Sequence, residues 1–119
     1  MKPGDTFYFN HASAHRHLWI VAGGPTPAGD FAIFNVTTLK DGCDHTCLLS
    51  VGDHPTITHE SYVIYLRGRA VPASIMEKQA HVVALQPALT AEVLKRVQDG
   101  ALASRYTAPY LQEIVRLNP

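Results

Sequence analysis

Cysteine, excess charge of one sign and long apolar runs are all scarce in this sequence, and each scarcity excludes something. Cys43 and Cys47 are the only cysteines, too few for a disulfide scaffold. In a reducing compartment they read as two free thiols or two metal ligands, with a Cys43–Cys47 disulfide ranked behind both. Ten basic residues balance ten acidic ones with histidine neutral. No global field therefore draws the chain to nucleic acid, and any RNA contact must come from a local cluster. The longest apolar run, Leu18 to Ala22, is far shorter than the roughly 20 residues that span a bilayer. Met1-Lys2-Pro3-Gly4-Asp5 opens the chain without an apolar stretch, so the expectation is a cytoplasmic protein with no signal peptide and no membrane partner.

What is present is ordinary globular composition. Hydrophobic residues make up 46% of 119 residues, enough for one domain with its own core and no covalent staple. Gly4-Asp5 signals a turn before Thr6-Phe7-Tyr8-Phe9, a run of β formers. Residues 10–16 are polar and read as a loop. His17 to Ala22 is a strong strand, ended by Gly23-Gly24-Pro25, and Phe31 to Thr37 is the next. Thr46 to Leu49 is a short candidate. Ser61 to Leu66 continues into Arg69-Ala70-Val71 after a kink or bulge at Gly68. Five or six short strands between turn clusters predict a small barrel over about residues 4–72.

The period changes in the last third. Pro72 to Lys78 reads as a turn or two of helix. Thr90 is an N-cap, with Leu89 and Leu94 as a hydrophobic staple. Val93, Leu94 and Val97 share a face, and Gly100 suits a left-handed helix end. A further helix is expected from Thr107, stapled by Tyr106 and Leu111, with Leu111, Ile114, Val115 and Leu117 buried. The fold class is thus mainly β with C-terminal α: one domain, 1–119, whose barrel is closed by two or three helices from about 73–119.

Chemistry concentrates in four places. His15-Arg16-His17 stands at the mouth of a strand. Arginine can fork a phosphate and neutral histidine can take a proton near neutrality, the parts that metal-free RNA cleavage needs. The plain alternative is a solvated loop. Thr37-Thr38 ends the third strand, where a hydroxyl can hold a phosphate oxygen, although threonine is also an ordinary β residue. Cys43, His45, Cys47, His54 and His59 crowd one short stretch. Cys43, Cys47, His54 and His59 have spacings a zinc ion tolerates, with Asp41, Asp44 and Asp53 available to orient a histidine. The gap from Cys47 to His54 is shorter than in classical fingers, and a buried thiol with hydrogen-bonded turn histidines explains the same residues. Arg67 and Arg69 flank Gly68 as a basic patch or as solvated strand-end charges.

The order of these features resembles the PemK/MazF (Kid) family of toxin endoribonucleases, whose SH3-like barrel is shared with the CcdB gyrase poisons. The likeness rests on Gly4-Asp5, on His15-Arg16-His17 entering an apolar strand, on Asn35-Val36-Thr37-Thr38 and on Ser61-Tyr62-Val63 running to Arg69-Ala70-Val71. It covers roughly residues 4–78. It implies an endoribonuclease toxin of a type II toxin–antitoxin system, cleaving RNA without metal, dimerising with itself and neutralised by an antitoxin protein. The resemblance implies Arg16, His17 and Thr37 as catalytic residues, with His15, Thr38, Arg67 and Arg69 toward the substrate. Tyr65-Leu66-Arg67 stands where the family often carries a carboxylate, and the Cys/His-rich stretch and the helical tail depart from it. Two other functions compete. One is a non-catalytic SH3-like binding module, plain or stabilised by zinc through Cys43, Cys47, His54 and His59. The other is a metal-dependent hydrolase built on Cys47, His54 and His59, ranked last because no motif such as H-E-x-x-H accompanies them.

Overall fold

The apolar run beginning at Leu18 has no polar alternation, the pattern of a strand buried on both faces. In the structure, a computed structural model that describes residues 1–9, 17–78 and 83–117, that run is the centre of the sheet. The strands are β1 (Thr6–Phe9), β2 (Leu18–Gly23), β3 (Asp30–Thr38), β4 (Leu48–Leu49), β5 (Ser61–Pro72) and β6 (Val83–Gln86). They form one curled antiparallel sheet in the order β4-β5-β3-β2-β1-β6. Every residue of β2 is buried. Its inner side chains, Leu18 and Ile20, join Ala32, Phe34, Val36, Val63 and Tyr65 in the main core. Its outer ones, Trp19 and Val21, pack with Phe7, Phe31, Ile33 and Met76 in a second cluster.

The helices are α1 (Ala73–Lys78), α2 (Ala91–Ala103) and α3 (Pro109–Arg116). α2 and α3 place Val93, Val97, Leu111, Ile114 and Val115 against the inner face of the sheet. Thr90 caps α2 as expected, accepting from the Val93 N–H at 3.3 Å. Three expectations are corrected. β6 lies inside the stretch assigned to helices and pairs with all of β1, from Thr6↔Gln86 to Phe9↔Val83. α3 starts at Pro109 rather than Thr107, because proline suits the first helical turn, whose N–H groups have no intrahelical partner. Leu117 is the exposed C-cap residue rather than part of the buried stripe.

Gly100 is a fourth correction. It sits within α2, which runs on to Ala103 and is closed by the Ser104 N–H donating to the Gly100 carbonyl at 2.8 Å. Its role is close approach. A Cβ there would lie 2.2 Å from Tyr65 Oη and 3.0 Å from Cys47 Cβ, and Tyr65 Oη donates to the Val97 carbonyl at 2.7 Å. Gly100→Ala should therefore cost about 1–3 kcal/mol through overpacking, read as a lower urea midpoint. An unchanged midpoint would mean that Tyr65 moves aside freely.

Ser104 also ties the helices to the loop before β4, its Oγ donating to Asp44 at 2.7 Å. Burial alone would raise the Asp44 carboxyl, but hydrogen bonds from the Thr46 hydroxyl, from Ser104 and from the Thr46 N–H outweigh it and hold the group below its ordinary 3.8. A depressed carboxylate stabilises the fold above its unfolded pKa and loses that contribution as pH falls through the folded value. The stability gap between wild type and Asp44→Asn, followed by urea titration, should thus be full at neutral pH and shrink below pH 3.8. A gap independent of pH would reject the linkage.

Candidate functional site

Antiparallel register brings distant polar residues to one end of the sheet. Leu18 pairs with Val36, and Val36 with Val63. Continuing the first pairing by one residue sets His17 beside Thr37, and Thr38 pairs with Ser61. The segment before β5 folds over this end. The Leu39 N–H donates to the Glu60 carbonyl at 2.9 Å, and Ser61 Oγ donates to the His59 carbonyl at 2.8 Å. The result is a cavity of about 340 Å³ with His17 and His59 on its wall. Thr37, Thr38, Thr56, Thr58, Ser61 and Tyr8 add hydroxyls, while Leu18, Val36 and Ile57 contribute its apolar lining.

Two of the three groups expected to act together, His17 and Thr37, therefore share one cavity, with Thr38 next to them. Arg16 and His15 lie outside the described residues. Arg67 and Arg69, which the resemblance places toward the substrate, are not among the residues that line this cavity. The Arg69 guanidinium lies 4.7 Å from the centre of the Trp19 ring and 5.5 Å from that of Phe9. That position belongs to the outer face of the sheet, because Trp19 and Phe9 are packed in the outer cluster. Cation–π attraction to two rings accounts for its orientation.

No family model and no curated protein sequence matches the chain. The geometry bears on metal binding as well. The four residues grouped as zinc ligands are dispersed. His59 lines the polar cavity, Cys47 borders a second cavity with His45 and Arg96, and Cys43 borders a third with Tyr62. His54 is buried and saturated by hydrogen bonds. Burial pushes the Cys47 thiol up, toward its neutral form, whereas zinc binds thiolate. Among the described residues no group of three or more His, Cys, Asp or Glu side chains is arranged to hold a metal ion. The zinc set is corrected accordingly, and the hydrolase built on Cys47, His54 and His59 loses its constellation.

His54 has a different task. Its Nδ1 accepts from the Thr56 N–H at 3.1 Å, so the proton of the neutral ring sits on Nε2. Nε2 then donates to the Pro87 carbonyl at 2.7 Å. Thr6 Oγ1 donates to the same carbonyl at 2.7 Å and lies 3.0 Å from Nε2. The loop that follows β4 is thereby fastened to the chain that follows β6. These are the two ends of the sheet, so His54 joins across the gap that strand pairing leaves open.

Sequence reasoning had His59 only as a metal ligand and missed Tyr8, Thr56, Thr58 and Ser61. The alternation Thr56-Ile57-Thr58-His59 around one buried Ile57 was the available signal, since it places polar groups around a single apolar anchor.

Proposed function

We propose that this chain is a metal-independent endoribonuclease of the toxin type, built on an SH3-like barrel. The observation that carries the reading is that two imidazoles from separate segments, His17 and His59, border one hydroxyl-rich cavity with Thr37 and Thr38. RNA cleavage by internal attack needs one base to take the proton of the 2′-hydroxyl as its oxygen bonds to phosphorus. It also needs one acid to protonate the departing 5′-oxygen, leaving a 2′,3′-cyclic phosphate. Two histidines can hold these opposite protonation states near neutral pH, and no metal enters the step. Threonine and serine hydroxyls can donate to the non-bridging oxygens. Arg16, adjacent in sequence to His17, supplies the expected cation. The curled antiparallel sheet with C-terminal helices is compatible with the barrel that the resemblance to the PemK/MazF family implies. RNA as substrate, an antitoxin protein and a second copy are the partners this reading brings.

The purified protein should cleave single-stranded RNA in excess EDTA, leaving cyclic phosphate ends, and its expression should arrest growth. Arg16→Ala should abolish both effects, and undiminished cleavage by that variant would remove Arg16 from the site. One observation favours a second reading, a binding module without catalysis: among the described residues no Lys or Arg lines the cavity. Absence of cleavage at every protein concentration would establish that reading instead.

A further inference from the structure

The loop between β3 and β4 brings two carboxylates to one cavity. Gly42 turns the loop at a φ of +77°, a conformation that glycine enters without steric cost. Asp41 and Asp44, which flank that turn, both border a cavity of about 300 Å³. Its opposite wall belongs to β5. Tyr62 and Ile64 share one face of that strand and line the cavity with Leu66, and the Tyr106 ring borders it too. The volume stands at the small end of the range for small-molecule sites, roughly 300–1,000 Å³.

Two polar groups on these walls have hydrogen-bonding capacity left. Tyr62 is 6% exposed, yet its hydroxyl makes no hydrogen bond with a described residue, unlike its strand neighbours Ser61 and Tyr65. Cys43, Arg67 and Asp44 act on that hydroxyl electrostatically, and two of these three border the cavity. Burial first, and then Cys43, hold the phenol above its ordinary 10.0, so it is neutral and able both to donate and to accept. A polar group so enclosed normally has a partner. Asp44 is ionised and held in place. Thr46 donates to its Oδ1 through both N–H and hydroxyl, and Ser104 donates to Oδ2 at 2.7 Å. A carboxylate offers about four acceptor sites, so Oδ2 retains one.

Charge selects among occupants. Against Asp41 and Asp44 the lining sets one lysine, the exposed Lys40. An anion would meet like charge, and a wholly apolar ligand would leave the Tyr62 hydroxyl unpaired. A bare metal ion is disfavoured, since no group of three or more His, Cys, Asp or Glu among the described residues is arranged to hold one. The Arg105 guanidinium lies 4.9 Å from the centre of the Tyr106 ring and donates to its hydroxyl at 2.8 Å, which fixes that ring as a wall. We infer that this cavity binds a small organic cation, a primary ammonium or guanidinium on a short apolar stem. The head would lie between Asp44 and the Tyr62 hydroxyl, and the stem against Ile64 and Leu66. This cavity shares no lining residue with the one bordered by His17 and His59, so the site does not depend on RNA cleavage.

The full chain can be titrated with phenethylamine and with butylguanidine, followed by amide NMR spectra. Phenethyl alcohol and phenylacetate, which keep an aromatic stem and replace the cation, serve as controls. At least one of the two cations should give saturable shifts centred on residues 41–44, 62–66 and 106, with a Kd of about 1 mM or tighter. The alcohol should bind at least about tenfold more weakly than the amine, and phenylacetate more weakly still. Tyr62→Phe keeps the ring and should weaken the bound cation by about three- to tenfold. Asp41→Asn, at an exposed position, should weaken it by about two- to fivefold. Asp44 is left intact because Thr46 and Ser104 depend on it. No saturable shift with either cation, shifts centred away from the cavity, equal binding of amine and alcohol, or wild-type affinity in either variant would overturn the proposal.

Discussion

Replacing His59 with alanine is expected to lower RNA cleavage by about 100- to 10,000-fold, the usual contribution of one positioned acid or base. His17→Ala should cost a similar factor. The double variant should fall little below either single one, because residues acting as a unit lose their effect together. Both histidines are exposed at the cavity wall, so neither replacement empties the core, and melting temperatures should stay within a degree or two of wild type. That separation makes the measurement diagnostic: activity collapses while the fold persists. The pH–rate profile should be bell-shaped in wild type and lose one limb in each single variant, because a profile of that form requires one group protonated and the other not. Thr37→Val, which removes a hydroxyl while keeping a β-branched side chain, should reduce cleavage less than either histidine change. If His59→Ala cleaves RNA at the wild-type rate, the two-imidazole mechanism is wrong, whatever Arg16 does.

His54→Ala should act in the opposite way, on stability first. The residue is 2% exposed and satisfies groups from two separate segments at once. Its loss would leave the Thr56 N–H without its acceptor and the Pro87 carbonyl with Thr6 as its remaining side-chain donor. It would also leave a void where the ring stood. Unsatisfied buried groups cost about 1–3 kcal/mol each and cavities add to that, so a total of roughly 2–4 kcal/mol is expected. That is a large share of the stability of a domain this size. Urea unfolding should show a lower midpoint with an unchanged slope. Since the fastening draws together the loop after β4 and the end of β6, amide exchange should rise first in residues 83–86 and 54–57. A midpoint shift worth less than about 1 kcal/mol would mean that helix packing alone keeps the sheet curled. Thr6→Val removes the companion donor to Pro87 without removing the ring, and should cost about half as much.

The sequence was most informative where local chemistry and tertiary demand agree. β1 was read at its observed limits because Thr6-Phe7-Tyr8-Phe9 combines β formers with a preceding turn. β2 was legible because a polar-free apolar run can only be satisfied by burial on both faces. Thr90 was legible because the cap acts through its own hydroxyl on a nearby N–H. Gly100 misled because glycine marks two different needs, a left-handed helix end and a close contact, and only Tyr65 and Cys47 reveal which applies. β6 was missed because Val83-Ala84-Leu85-Gln86 has no pattern of its own beyond what pairing with β1 gives it.

The chain's own chemistry determined which residue types could act: seven histidines, the Thr37-Thr38 pair and two lone cysteines in a sequence of zero net charge. It could not determine which of them meet. His54 and His59 stand five positions apart and look interchangeable, yet one is a buried fastener and the other lines an open cavity. Arg69 appears basic in sequence but spends its charge on two aromatic rings. Those outcomes depend on register and on the curl of the sheet, which are set by long-range pairing between segments, and local propensity carries no information about such partners.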